Sequence, residues 1–266
     1  MPTPAMYLLI GSASFVVAAL TLLAGFGLGT LLLPAFAIFF PAEIAVAMVA
    51  VVHALNNLFK LALLGRRADL RILVAFGVPA VAASAVGAWT LSRLAQGAPL
   101  ATWELAGHMA RVTPLKLAMG GLILLFALAD VVPALRRLQA PRRWLPLGGL
   151  LSGYFGGLSG HQGALRAAFI APLGLVPAVY VGTQAALAIM VDITRLLVYG
   201  NSFLSRNTSG LDMASYGGLL AVATGCAFAG SLLGRRLLPR VTVSGVRVLA
   251  GILLMVVGLG LVAGVI

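Results

Sequence analysis

The sequence predicts an all-α polytopic membrane protein of about ten hydrophobic segments, some short or re-entrant, forming two inverted-topology repeats. Three observations carry that expectation. Of the 266 residues, 61% are hydrophobic and only 9% charged, against roughly a quarter charged in a soluble domain. Apolar runs of about twenty residues recur along the chain, each long enough to cross a hydrocarbon core of roughly 30 Å as a helix. The period-2 alternation of an outer-membrane barrel is absent.

The segments fall near 7–24, 28–40, 42–64, 70–93, 114–133, 145–158, 163–176, 178–199, 212–234 and 246–266. The second, sixth and seventh are short, and each borders a glycine-rich break. The opening "MPTPAMYLLIGSAS" lacks the basic region of a signal peptide and reads as the start of the first helix. The hydrophilic stretch 93–113, with Trp103 and Glu104, reads as a turn lying on the membrane surface. No soluble domain fits between the segments, so the chain is one integral membrane domain. It divides into a first repeat, 1–133, and a second, 134–266, of five segments each.

The net charge of +12 is placed as a topology signal, not as a nucleic-acid footprint. Loops 65–71, 134–146 and 235–247 carry eleven of the eighteen basic residues. Alternating segments put all three loops on one side, which is then cytoplasmic, with both termini outside a cell (inner) membrane. The partners expected are therefore the lipid bilayer and a small anion, with a proton or another coupling ion, and no nucleic acid. Oligomeric state is not readable. Cys226 is the only cysteine, so no intramolecular disulfide forms. No HExxH, CxxC or paired-carboxylate helix motif is present, so no enzyme, metal site or cofactor is expected.

The repeat shows in three aligned stretches. "GFGLGTLLLPAF" (25–36) parallels "SGHQGALRAAFI" (159–170), with Gly29 on Gly163. "NLFKLALLG" (57–65) parallels "DITRLLVYG" (192–200), which sets Asn57 on Asp192 and Lys60 on Arg195. "GAWTLSRL" (87–94) parallels "GSLLGRRL" (230–237), with Gly87 on Gly230. Inverted repeats with broken helices are a common plan of secondary transporters, whose site lies at the pseudo-symmetric centre.

Ionisable residues at membrane depth cost a few kcal/mol each and need a reason. Segment three places His53, Asn56, Asn57 and Lys60 on one helical face; segment eight does the same with Gln184, Asp192 and Arg195, followed by Tyr199. Structural readings stand beside the functional one. Asp192 and Arg195, at i and i+3, can form a structural clip. Lys60 and Arg195 can snorkel to the interface, and His53 can serve as a packing histidine. Glu43 suits the N-terminus of its helix.

The break "GGLSGHQGALRAAF" (156–169) concentrates the chemistry. Its glycines free backbone amides of His161, Gln162, Gly163 and Ala164 at a positive helix end, the arrangement that binds anions. Arg166 in the first turn opposes the helix dipole unless Asp192 or a bound anion lies near. Its guanidinium can hold an oxyanion in two parallel hydrogen bonds, and Gln162 can donate another. Gly25, Gly27, Gly29 and Thr30 repeat the break without charges. The alternative is that the glycines only allow close helix packing.

At these residues the sequence resembles the TauE/SafE family of sulfite exporters, also called the toluene sulfonate uptake permease family. "GFGLGTLLLPAF" looks like that family's glycine-rich run leading into an apolar helix with proline. "GGLSGHQGALRAAF" is similar to a subgroup with a serine-glycine-x-glutamine-glycine-x-x-arginine pattern, and the resemblance spans essentially the whole chain. It implies a permease or exporter for small sulfur-containing anions such as sulfite, thiosulfate or organosulfonates. Carried over by position, Gly29 and Pro34 match the first motif, and Gln162, Gly163 and Arg166 the second. Two departures alter the site: His161 and Gln162 stand where many members have glycines, and Ala168 stands where Pro34 predicts proline. The substrate-binding set is thus Gln162, Arg166, His161, Gly163, Gly29 and Thr30. The coupling or gating set is Asp192, Arg195, His53, Asn57, Lys60 and Gln184. An anion channel using the same residues, or a non-transporting structural protein, is the alternative.

Overall fold

The computed structural model describes residues 2–21, 27–64, 67–105, 107–131, 140–204, 216–237 and 243–265. Among these, ten helices follow one another: α1 Pro4–Thr21, α2 Leu28–Ala37, α3 Ala42–Leu64, α4 Leu70–Leu94, α5 Pro114–Val131, α6 Leu145–Ser159, α7 Gly163–Ile170, α8 Pro177–Leu204, α9 Gly217–Leu237 and α10 Val243–Val262. They coincide with the ten expected segments to within a few residues. Five of the ten, α1, α3, α4, α8 and α9, are long and apolar enough to cross a membrane. Apolar side chains cover the exterior as well as filling the core, and a few charges lie inside. Leu8, Leu70 and Leu197 are exposed, whereas Asp192 and Arg195 are fully buried. That distribution is what a hydrocarbon solvent selects.

Local chemistry accounts for the boundaries. Asp69 caps α4, its carboxylate accepting from the Arg71 and Ile72 amides at 2.9 and 3.2 Å. Within α4 the turn Leu73–Gly77 widens to a π-helix. Pro79 follows it, and a proline interior to a helix lacks an N–H and crowds the carbonyl four residues back. The expected surface-lying turn proves to be a β-hairpin, β1 Ala101–Leu105 paired antiparallel with β2 His108–Val112. Gly107 turns it at a φ of 81°. The hairpin is tied to the end of α10: Trp103 Nε1 donates to the Ala263 carbonyl at 2.9 Å and the Arg111 amide to Gly264 at 3.0 Å.

Packing is pairwise. α1 lies on α9 and α4 on α6; α5 lies on α10, and α3 on α8 at the centre. The close pairs rest on glycines. A Cβ at Gly87, Gly153 or Gly157 would run into the facing backbone across the α4–α6 contact, and one at Gly230 or Gly234 into the backbone of α1. Without hydrophobic drive between helices in lipid, such close backbone approach supplies the dispersion contact that holds them. α6 and α7 are separated by the break at 160–162, where Gly160 takes a left-handed φ of 81°. α2 begins after Gly27, at a φ of 109°. Gly25 lies outside the described residues, as do parts of the two later basic loops.

Candidate functional site

The two helix breaks meet. A Cβ on Gly29, in the first turn of α2, would lie 3.4 Å from the His53 ring and 3.7 Å from the Gly160 carbonyl. Around this point α3, α7 and α8 contribute a buried polar cluster. Asp192 is its anchor: Oδ2 accepts from His53 Nδ1 at 2.6 Å, and Oδ1 accepts from Arg195 Nη2 at 2.7 Å, Arg195 Nε at 3.0 Å and Gln162 Nε2 at 3.1 Å. The expected i, i+3 clip is therefore present, with His53 and Gln162 added to it. His53 is more than a packing histidine, since it donates to a buried carboxylate. Asn57 donates back to the His53 carbonyl at 2.9 Å and lies against its ring.

Gln162 works as a bridge. Its Nε2 serves Asp192, and its Oε1 accepts from Arg166 Nη1 at 2.9 Å. One amide proton of Gln162 remains for a ligand. Arg166 Nε donates to Gln184 Oε1. That bond fixes the Gln184 amide with its oxygen towards Arg166, and its Nε2 is buried with no partner. The Gln162 amide N–H, expected to be free, instead donates to the Gly160 carbonyl at 3.0 Å. The left-handed turn at Gly160 folds that carbonyl back over the break and so spends the donor.

Lys60 and Arg195 do not snorkel. They are 6% and 0% exposed. Gly160 makes room for Arg195, because a Cβ there would stand 3.0 Å from Arg195 Nη1. His161 is buried, stacked on Phe126 of α5 at 5.7 Å between centroids. Gly163 is buried in the first turn of α7, and Thr30 is half-buried in that of α2. Among the described residues the buried charges are thus Lys60, Arg166 and Arg195 against one carboxylate, Asp192, with His53 beside it.

Sequence reasoning missed two hydroxyls that brace the site: Ser152 Oγ donates to the Gln162 carbonyl at 2.9 Å and Ser84 Oγ to the Val191 carbonyl at 3.3 Å. Tyr199, at the end of the expected stripe, donates to the Gly157 carbonyl. Phe126, the partner of His161, was equally invisible. Asn56, on the expected polar stripe, turns away to α9, where it accepts from Ser231 at 3.0 Å.

A cluster of buried cations and unpartnered donors between two broken helices can hold an anion away from water. Comparison with curated proteins and with solved structures returned no match. The profile of the family described as "Sulfite exporter TauE/SafE" matches residues 10–261, nearly the whole chain, and the protein belongs to this family of polytopic membrane transporters.

Proposed function

We propose that the protein is a secondary transporter of a small sulfur-containing anion, sulfite, thiosulfate or an organosulfonate, bound at the Arg166–Gln162 break. One observation carries the reading: three buried cations face a single buried carboxylate. A buried cation costs several kcal/mol unless negative charge balances it; Lys60 has no carboxylate of its own among the described residues, and an anion held between Lys60, Arg166 and the unpartnered Gln184 Nε2 supplies that charge. His161, Gly163, Gly29 and Thr30 complete the binding set at the two helix starts. Asp192, Arg195, His53 and Asn57 form the coupling network, since a histidine donating to a carboxylate is a place where a proton can move.

Alternating access rocks one repeat against the other. The packing supports two repeats, 1–133 and 134–266: exchanging α1–α5 with α6–α10 turns the α1–α9 contact into α6–α4 and maps α3–α8 and α5–α10 onto themselves. Gly87 and Gly230, aligned in the sequence, occupy corresponding close contacts. We place the chain in the inner membrane with both termini outside, on the basic-loop asymmetry. The burial of Arg166, Gln162 and Asp192, each at most 2% exposed, favours an occluding carrier over an open channel.

The test is uptake of labelled sulfite and thiosulfate into proteoliposomes by wild type and Arg166→Gln. Saturable flux that is stimulated by anion on the opposite side and lost in Arg166→Gln is expected. Flux without such stimulation would mean a channel. Absence of flux from folded protein would send the substrate search to other organic anions.

A further inference from the structure

His161 is one of the site's departures from the family's glycines, and its hydrogen bonds settle which ring nitrogen carries the proton. Ser159 Oγ donates to the Phe155 carbonyl at 3.1 Å, so towards His161 that oxygen can only accept. His161 Nδ1 lies 3.1 Å from this Oγ and 3.1 Å from the Ser159 carbonyl, a second acceptor. Nδ1 must therefore carry the hydrogen, and in the neutral ring Nε2 is a bare acceptor. That atom is buried with no partner.

The surroundings make an acceptor unusual. His161 lies between Gly160, whose missing Cβ admits Arg195, and Gln162, which bridges Asp192 and Arg166. Arg195 lies within electrostatic reach of the ring. The titratable groups of the cluster are Arg195, Asp192 and Tyr199 on α8, with Tyr180 of the same helix near Arg166, His53 and Lys60 on α3, and Arg166 on α7. Phe126 on α5 and Ser159 on α6 add no charge. The cations of the cluster, Gln184 Nε2 and the first amides of α7 are donors, and the Asp192 oxygens already accept four hydrogen bonds. An oxyanion without a proton offers only acceptors, so its oxygens would face the Nε2 lone pair.

Resting on the anion-site reading above, we infer that His161 Nε2 accepts the O–H of a hydrogen-bearing monoanion, so that the site takes sulfite together with one proton, as hydrogen sulfite. The buried cations attract any anion, and the dianion most. The lone pair opposes that preference and gives the site a means of telling protonation states apart. A buried acceptor left unmatched weakens binding about ten- to a hundredfold, which sets the discrimination expected against a sulfonate of the same charge.

The experiment is calorimetric titration of the full-length protein in nanodiscs with sulfite and with methanesulfonate, a monoanion that has no proton to give, over a range of pH. Methanesulfonate reports the protein's own titrations. Relative to it, sulfite should weaken by about tenfold per pH unit above the second ionisation of sulfurous acid, as linkage to one proton requires. At acid pH, sulfite should bind about ten- to a hundredfold more tightly than methanesulfonate. His161→Phe keeps an aromatic face for Phe126 and should bring the two ligands together without abolishing either. His161→Gly is the second variant if the first does not fold. Nitrogen NMR of histidine-labelled wild type should find His161 Nε2 unprotonated without ligand. Sulfite affinity that rises with pH, a protonated Nε2 in the free protein, or discrimination that survives both variants would each overturn the inference and leave the anion site standing. If neither anion binds and Arg166→Gln changes nothing, the anion site itself is refuted and the inference with it.

Discussion

Arg166→Gln tests whether Arg166 is a ligand-binding cation or a structural one. Arg166 is 2% exposed, and two of its hydrogen bonds go to neutral carboxamides, Gln162 Oε1 and Gln184 Oε1. Arg195, by contrast, holds Asp192 through two hydrogen bonds at 2.7 and 3.0 Å. Replacing Arg166 with glutamine takes one cation from a cluster of three and loses, among its hydrogen bonds, those to two neutral carboxamides. The ligand-free melting temperature should fall less than in Arg195→Gln. Arg195→Gln takes the guanidinium from a buried carboxylate, leaving it His53 and Gln162, and should cost about 3–5 kcal/mol. The order reverses when anion is added. A hydrogen bond to a charged group contributes about 1.5–3 kcal/mol, so losing a two-pronged guanidinium contact should weaken sulfite binding by about 2–4 kcal/mol, roughly 30- to 1000-fold in Kd. Saturating sulfite at about a hundred times Kd stabilises wild type by about 2.7 kcal/mol, and Arg166→Gln should forfeit that gain. Thermal denaturation in detergent, with and without sulfite, reads both effects. The reasoning is refuted if Arg166→Gln is as unstable as Arg195→Gln without ligand and still gains the full stabilisation with it.

Three further outcomes follow from the same geometry. Asp192→Asn leaves three buried cations with no carboxylate and should destabilise by about 3–5 kcal/mol; adding Arg195→Met should recover part of that loss, and additive melting shifts would show the two are not coupled. Gly160→Ala sets a Cβ 3.0 Å from Arg195 Nη1 at a left-handed φ of 81°; a cost of about 1–3 kcal/mol is expected in a melting experiment, together with slowed flux in vesicles. With Cys226 replaced, a single cysteine at Gly107 or at the C-terminus should react with a membrane-impermeant thiol reagent from outside the cell, and labelling only after permeabilisation would reverse the topology.

The ten segments were legible because hydrocarbon solvent leaves a length and composition signature that no local propensity blurs. The polar stripes on α3 and α8 were legible because 3.6-residue periodicity puts His53, Asn57 and Lys60 on one side, and Gln184, Asp192 and Arg195 on another. The hairpin 101–112 was not, because its register depends on docking against Ala263 and Gly264, more than 150 residues away in sequence. The same limit hid the bracing hydroxyls. Ser152 and Ser84 look like ordinary small residues of a membrane helix until packing aims them at the Gln162 and Val191 carbonyls. Asn56 shows the reverse failure: its spacing put it on the polar face, yet that stripe is wide enough to serve both α8 and α9, and Ser231 captured it.

The proposed repeat and the proposed anion site fit together, because the two halves are paired unequally. In the proposed repeat, Asn57 corresponds to Asp192 and Lys60 to Arg195. The second half therefore closes its own cation with a carboxylate three residues away, and Arg195 is satisfied without ligand. In the first half the same position holds a carboxamide, and Asn57 spends its amide on the His53 carbonyl. Lys60 is left buried with no carboxylate of its own among the described residues. Arg166, in the first turn of α7, adds a second cation where its first-half counterpart, Leu32 of α2, adds none. On this reading the carboxylate stands on α8 and the added cations on α3 and α7, so that two departures from the proposed two-fold plan, an asparagine opposite an aspartate and an added arginine, make one place for an anion instead of two.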